Sequence, residues 1–423
     1  PKRGYRFTGQ IIKNDNSQKI IVEKHSISRT LVEEIEDSVE PNIKSLPAKA
    51  KSNRLWMPIL AMLILVSSAF GYYFYTQKSS KAENIKSIAI LPLTSLSNDE
   101  NEKALALGIK EKLLMNLGSL PEISIQNVNL DESEIDKITN ADAILLGNVQ
   151  RADGKIRVNL RFMRAVDKKQ IWSASFDENQ TDLFKLQDEI SDKITNSLAL
   201  NLTKPDREKV FKRYTENRDA YQAYLRGRYF FLNREKESGL LDKAQKEFES
   251  ALNFDDKFAL AYSGLADVYS RKALNLNGNK RSESYDKAKS LALKALTLDD
   301  NLAETHASIG WIYRIYDWDW LESEKHFKRA IELGPNDAEN YRLYSTLLIV
   351  LGRTKEAVEF ARKAFQLDPL SQSATVGWAL VNDRQYEAAI EEYSKQIAKS
   401  LGTFDDFHGL SLAYLRVEKY SEA

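Results

Sequence analysis

From about Ala220 the chain repeats itself, and self-similarity at a fixed period leaves a stack of like units as the fold. Ala251, Ala295, Ala330 and Ala364 each close a phrase of the type A(I/L)xL ahead of an acidic or proline-containing turn. Their spacings are 44, 35 and 34 residues, and Pro335 to Pro369 spans 34 again. Two helices approach closely only where Gly or Ala admits the partner, which assigns Gly227, Ala266, Gly310 and Ser345 to the first helix of successive units. Ala244, Ala288, Ser323, Ala357 and Ala389 take the same role on the second helix. Phe230, Tyr269 and Tyr313 on first helices, with Phe248, Phe327 and Tyr393 on second helices, fill the gaps between them.

Size, small residues and aromatics recurring together resemble the tetratricopeptide (TPR) repeat. The likeness covers 215–423, about five and a half repeats, with a sixth cut at Ala423 whose first helix carries Phe407, Leu410 and Tyr414. The residues that carry it are Gly227, Ala244, Phe248, Ala251, Ala266, Ala288, Ala295, Gly310, Phe327, Ala330, Ala357 and Ala364. The resemblance implies an all-α solenoid that binds peptide or protein on a superhelical surface and performs no chemistry. The two long spacings place inserts on loops near Asn233–Gly239 and Asn275–Ser284. His306 and His326 fall on opposite helices of the third unit and read as surface or groove histidines rather than a metal pair. The run Tyr316-Asp317-Trp318-Asp319-Trp320 joins those helices, either packing the turn or forming an aromatic cluster for a ligand.

Residues 85–200 have a different grammar. Ile85–Leu93 is a buried-strand pattern, and Asp99–Leu117 then shows Leu105, Ile109, Leu113 and Leu117 at helical spacing. A short strand is expected at Glu122–Gln126, a helix at Glu132–Thr139, strands at Ala143–Gln150, Ile156–Ala165 and Gln170–Phe176, and a closing helix over Asp182–Leu200. Asp153-Gly154 is a tight hairpin turn. This order predicts a small mixed α/β sheet covered by helices. The phrases SIAILPL, ILLGNVQR, GKIRVNLRFMRA and LFKLQDEI, in this order, resemble the TolB N-terminal-like domain. Gly108, Gly118 and Gly147 are isolated rather than grouped into a phosphate-cradling loop, the segment has no histidine, and the chain has no cysteine. No catalytic residue, cofactor or metal is expected, and the chain reads as a non-enzyme.

Leu55–Tyr75 contains no charge over 21 residues, which as a helix spans about 32 Å and predicts a transmembrane segment. Pro58 suits its first turn, and Trp56, Tyr72, Tyr73 and Tyr75 suit its interfaces. A cleaved signal peptide would sit at the N-terminus and be shorter. Residues 1–54 hold 11 basic and 7 acidic side chains, favouring an N-in orientation, and 11–54 read as a flexible linker in which His25 is solvated. Pro1–Phe7 reads as a turn entering a strand. It resembles the closing hairpin of OmpR-type and CadC/ToxR-type winged-helix domains, so 1–10 are expected to end such a domain. In that family the wing touches DNA phosphate, a role that falls to Lys2, Arg3 and Arg6.

Taken in order, these parts resemble CadC/ToxR-like membrane-integrated transcription regulators, here truncated before Pro1. The expected fold class is an α+β membrane protein: winged-helix remnant, single transmembrane helix, small α/β domain and TPR solenoid. The resemblance implies an inner-membrane, single-pass protein with a cytoplasmic DNA-binding domain, mostly missing here, and a periplasmic sensor region. Expected partners are promoter DNA, the lipid bilayer, a peptide or protein on the TPR surface, and a second copy through Ser67 and Gly71. One alternative is a membrane-anchored periplasmic TPR scaffold without DNA binding. Another is an enzyme, because TolB-like and TPR modules also accompany class III adenylate cyclase domains, though no paired metal-binding aspartate motif occurs and the wing-like start argues against a cyclase upstream. Asp255-Asp256, Asp299-Asp300 and Asp405-Asp406 invite an acid-sensing reading, but their place at repeat turns marks them as solvated.

Overall fold

The computed structural model describes residues 85–419 and 422, apart from short stretches at 98, 119, 121–122, 129, 139–140, 153, 180–182, 199–202, 369–372 and 399–402. All of them belong to one compact unit, Thr76–Ala423. Its first part is a mixed sheet of β1 (Ser87–Ile90), β2 (Thr94–Ser95), β3 (Ser124–Asn127), β4 (Ala143–Ala152), β5 (Lys155–Arg164) and β6 (Gln170–Asn179). The order is β3-β1-β4-β5-β6, with β2 also on β4. β1 runs parallel to β3 and β4, while β4, β5 and β6 form an antiparallel meander. Ile88, Ala89 and Ile90 are buried, as a central parallel strand covered on both faces requires.

On β5 every second residue, Ile156, Val158, Leu160 and Phe162, enters the main apolar core. The intervening Asn159 joins a polar ladder with Asn148 and Ser175, at 2.9 and 2.7 Å. Helices α1 (Glu100–Gly118) and α2 (Leu183–Ser197) cover the core face through Leu105, Ile109, Leu113, Leu186, Ile190 and Ile194. The opposite face has its own smaller core, closed by a 3-10 turn at Glu132–Lys137 where a helix is expected. Its reciprocal Asp131/Glu134 cap is too short-ranged to carry the segment past one tight turn.

A short helix, α3 (Lys204–Val210), capped by Thr203, leads into paired helices. The pairs are α4 (Arg218–Leu232) with α5 (Leu240–Phe254), α6 (Ala259–Ala273) with α7 (Gly278–Leu298), and α8 (Ala303–Ile312) with α9 (Trp320–Leu333). They continue with α10 (Ala338–Val350) and α11 (Thr354–Leu367), α12 (Ser373–Asn382) and α13 (Tyr386–Ala398), and the single α14 (Phe404–Arg416). Asn217, Asp319, Asp337 and Thr403 cap first turns by accepting backbone N–H bonds. The insert expected on a loop at Asn275–Ser284 instead lengthens α7 to 21 residues. Tyr285 anchors that extra turn by stacking on Tyr316, with ring centroids 5.0 Å apart.

The expected α+β membrane-protein class is corrected: the described chain is a mostly helical, TPR-like solenoid carrying a small mixed sheet. Among the described residues no helix is long and apolar enough to cross a membrane. The two longest, α1 and α7, carry charges such as Lys110, Glu111, Lys112, Arg281 and Lys287, each costing about 3 kcal/mol at a bilayer centre. The span read at Leu55–Tyr75, the linker, the Ser67 and Gly71 pair, and the wing with Lys2, Arg3 and Arg6 lie outside the described residues.

Candidate ligand-binding face of the solenoid

The solenoid is keyed together by an aromatic ring on a second helix wedged against glycine on a first helix. Phe248 of α5 lies between Gly227 of α4 and Gly264 of α6, where an added Cβ would approach the ring to 2.7 and 2.5 Å. Phe327 of α9 meets Gly310 of α8 at 3.0 Å by the same measure, and Tyr393 of α13 is clamped even more tightly by Gly377 of α12 and Gly409 of α14. Ala244, Ala251, Ala266, Ala288, Ala295, Ala330, Ala357 and Ala364 are all fully buried in the helix contacts. Ser323 and Ser345 hide their hydroxyls by donating to the carbonyls of Gly310 and Ala357, each at 2.8 Å. Reading by alanine spacing misses Gly264, Gly377 and Gly409. The signal for Gly377 is its distance of 16 residues to Tyr393, against 17 from Gly310 to Phe327.

The first helices α4, α6, α8 and α10 stand side by side, with Thr305 on α8 donating to Ser263 on α6 at 2.8 Å. Against this inner face lies α1 of the sheet module. Gly108 of α1 sits directly under Leu225 of α4, and a single apolar core runs from the sheet through α1 into Phe248, Ala266 and Ile309. Next to it Arg228 donates to Glu111 of α1 at 2.6 Å and reaches within 3.8 Å of Glu304 on α8. At the far end of α1, the Asn336 amide donates to the carbonyls of Gly118, Leu120 and Ile123 at 3.0, 3.1 and 2.9 Å. The Lys112 ammonium donates to the Lys212 carbonyl, and Lys212 pairs with Asp299 at 2.6 Å. The chain's own helix therefore occupies the inner face from the first unit to the start of the fourth.

Burial pushes the Glu304 carboxyl up to about 7, with Arg228 partly offsetting it, and pushes Asp267 and Asp337 up to about 6. Asp337 stands exposed at the rim, where solvent screens its charge more than that of the other two. Ser308 donates to Asp267 and holds it in place.

Beyond the seat of α1 the inner face is lined by arginines. Arg234 lies 3.4 Å from Glu235, which also takes Arg271, and Arg342 forms a two-pronged pair with Glu339. Arg314 differs. It belongs to a π-helical turn, Tyr313–Asp317, that extends α8, and its guanidinium lies 5.0 Å from the Trp311 ring centre. Its Nε, like that of Arg234, is buried without a hydrogen-bond partner, and burial together with the like charge of Arg342 lowers its proton affinity.

The turn that follows divides the aromatic run: Tyr316 packs on Tyr285, whereas Trp318, held at φ +59°, and Trp320 are exposed. His306 and His326 are brought together, Nδ1 to Nδ1 at 2.9 Å, and His306 Nε2 lies 3.1 Å from the Asp300 carbonyl. Among the described residues no three His, Asp or Glu side chains converge as a metal site would require.

The helix pairs and their keyed packing define a TPR-like solenoid. No family model matches the chain. A putative adenylate cyclase 3 of Rhizobium meliloti (strain 1021) is 25% identical over 191 residues, covering 43% of this chain and 32% of that protein. The chain thus spans about a third of the length of the curated relative it matches. Similar solved structures include a thermophilic TPR protein of Thermus thermophilus, 18% identical, covering 48% of this chain and 92% of that one at a TM-score of 0.34. YrrB, a TPR protein with an unusual peptide-binding site, is 22% identical over 45% of this chain and 91% of its own, at 0.31. PilF of Pseudomonas aeruginosa is 16% identical over 49% and 90%, at 0.38. The winged-helix regulator reading, the TolB-like reading, and DNA and lipid as partners gain no support from these comparisons.

Proposed function

We propose that the chain is a protein-binding scaffold whose solenoid captures a peptide or protein segment on the part of its inner face that α1 leaves open. The observation that supports this reading is the built inner face itself. A keyed stack of helix pairs presents a row of arginines and exposed aromatic rings, including the half-exposed Trp378 on α12, with no constellation suited to chemistry among the described residues. Transcriptional output plays no part in the proposal. Panning a displayed random peptide library on the full chain tests it. Peptides enriched on the wild type and lost on Trp378→Ala or Arg314→Gln support the scaffold, and failure to enrich any sequence removes it.

A second reading is favoured by the relative named a putative adenylate cyclase. In that reading the scaffold is the non-catalytic portion of a protein that carries a cyclase elsewhere. Incubating the chain with ATP and divalent metal is expected to yield no cyclic AMP; production of cyclic AMP and pyrophosphate would overturn both forms of the proposal.

A further inference from the structure

Four guanidiniums, those of Arg234, Arg271, Arg314 and Arg342, share the inner face beyond α1 with only two ion-paired carboxylates, Glu235 and Glu339, among the described residues. Three of the four are engaged: Arg234 and Arg271 by Glu235, and Arg342 by Glu339 in a two-pronged pair. Arg314 alone of the four has no carboxylate among the described residues, and the charge that bears on it most is the positive charge of Arg342. Holding an unpaired guanidinium beside a like charge costs free energy, and removing one partner from such a pair costs a few kcal/mol when desolvated. Here the cost is accepted in a defined geometry. The side chain is stacked on Trp311, which orients the planar fork, and it is carried by a π-helical turn, a local geometry that recurs at functional sites.

We propose that Arg314, oriented by Trp311 beside the Arg342–Glu339 pair, is a binding site for a carboxylate of the captured segment, either an acidic side chain or a free C-terminus. The assignment rests on the scaffold reading and names the chemistry of its partner. A single free fork matches one planar carboxylate in two parallel N–H···O bonds. A phosphate, tetrahedral and more highly charged, is the competing anion, and the planar fork matches the flat carboxylate more closely. Arg342 supplies long-range attraction without leaving Glu339.

The test uses the full chain and short fluorescein-labelled peptides read by anisotropy at low and moderate salt. One peptide carries Glu residues between Leu residues, one is its Gln-for-Glu twin, one ends in a free carboxylate, one is the same peptide amidated, and one is phosphorylated. The wild type is expected to prefer the Glu or free-carboxylate peptide over its neutral twin by about tenfold, the size of one charge-assisted bidentate contact. Arg314→Gln is expected to erase that preference, and Arg314→Lys to restore only part of it, because an ammonium lacks the fork. Thermal midpoints of the variants check that each is folded. Whichever carboxylate peptide shows the preference identifies the source. Preference retained in Arg314→Gln, or preference for the phosphopeptide alone, overturns the carboxylate site. If library peptides bind the wild type but show neither acidic content nor dependence on Arg314, the scaffold survives and this site does not. If no peptide of any kind binds, the scaffold reading itself falls.

Discussion

Glu304 and the His306–His326 pair respond to acid in opposite senses. A carboxyl held above its ordinary value binds its proton more readily in the folded chain. Its contribution is full below about 4.5 and is lost as pH rises through about 7. Replacing the charge with an amide should therefore help where the charge hurts. Glu304→Gln is expected to raise stability by about 1 kcal/mol at pH 8, after discounting for partial exposure, with the difference fading by pH 5 in urea melts. For the histidines the tautomers follow from their partners. His306 gives its Nε2 proton to the Asp300 carbonyl, which leaves its Nδ1 bare to accept from His326 Nδ1–H. Burial, and the neighbouring His306, bring His326 down to about 4, while burial also lowers His306. Their contribution is present above about 6.5 and is lost as pH falls through about 4. The protection of α8 and α9 amides, their exchange referred to the intrinsic rate at each pH, is expected to fall over that range, and His326→Leu to flatten the response. Unchanged protection factors in the wild type between neutral pH and about pH 4 would refute it.

Elements here are stabilised less by their own propensity than by the rings wedged between them. Phe248 touches glycines on both neighbouring first helices, so Phe248→Ala removes a wedge shared by two units and is expected to cost about 3–5 kcal/mol in denaturant unfolding. The solenoid was legible because this packing demands small residues at a fixed period, and Ala251, Ala295, Ala330 and Ala364 display it directly. The strands were legible from buried runs and alternation, as on β5. Other features depend on contacts no local pattern records. The extra residues before Tyr285 became helix because Tyr285 finds Tyr316 to stack on, a meeting fixed only after the third unit folds. The π-helical turn that presents Arg314 has no signature in the letters YRIYD. Gly108 looked like an isolated glycine, and Asn336, next to Pro335, carried no signal of its own. Their role appears only when α1 lies across the repeats.

At the scale of the whole molecule, that crossing joins sheet and solenoid through one apolar core and a few directed bonds. Cooperative unfolding of both parts follows. Asn336→Ala leaves three carbonyls without their donor and is expected to cost about 1–3 kcal/mol. In differential scanning calorimetry it should also begin to split a single transition in two. A single sharp transition at the wild-type midpoint would show that Asn336 joins nothing. A further consequence concerns competition. A tethered segment acts at an effective concentration of roughly millimolar, so a freely diffusing peptide at micromolar concentration starts about a thousandfold behind α1 for the surface α1 holds. The chain thereby decides, before any partner arrives, which part of its inner wall a visitor can reach and which is already taken.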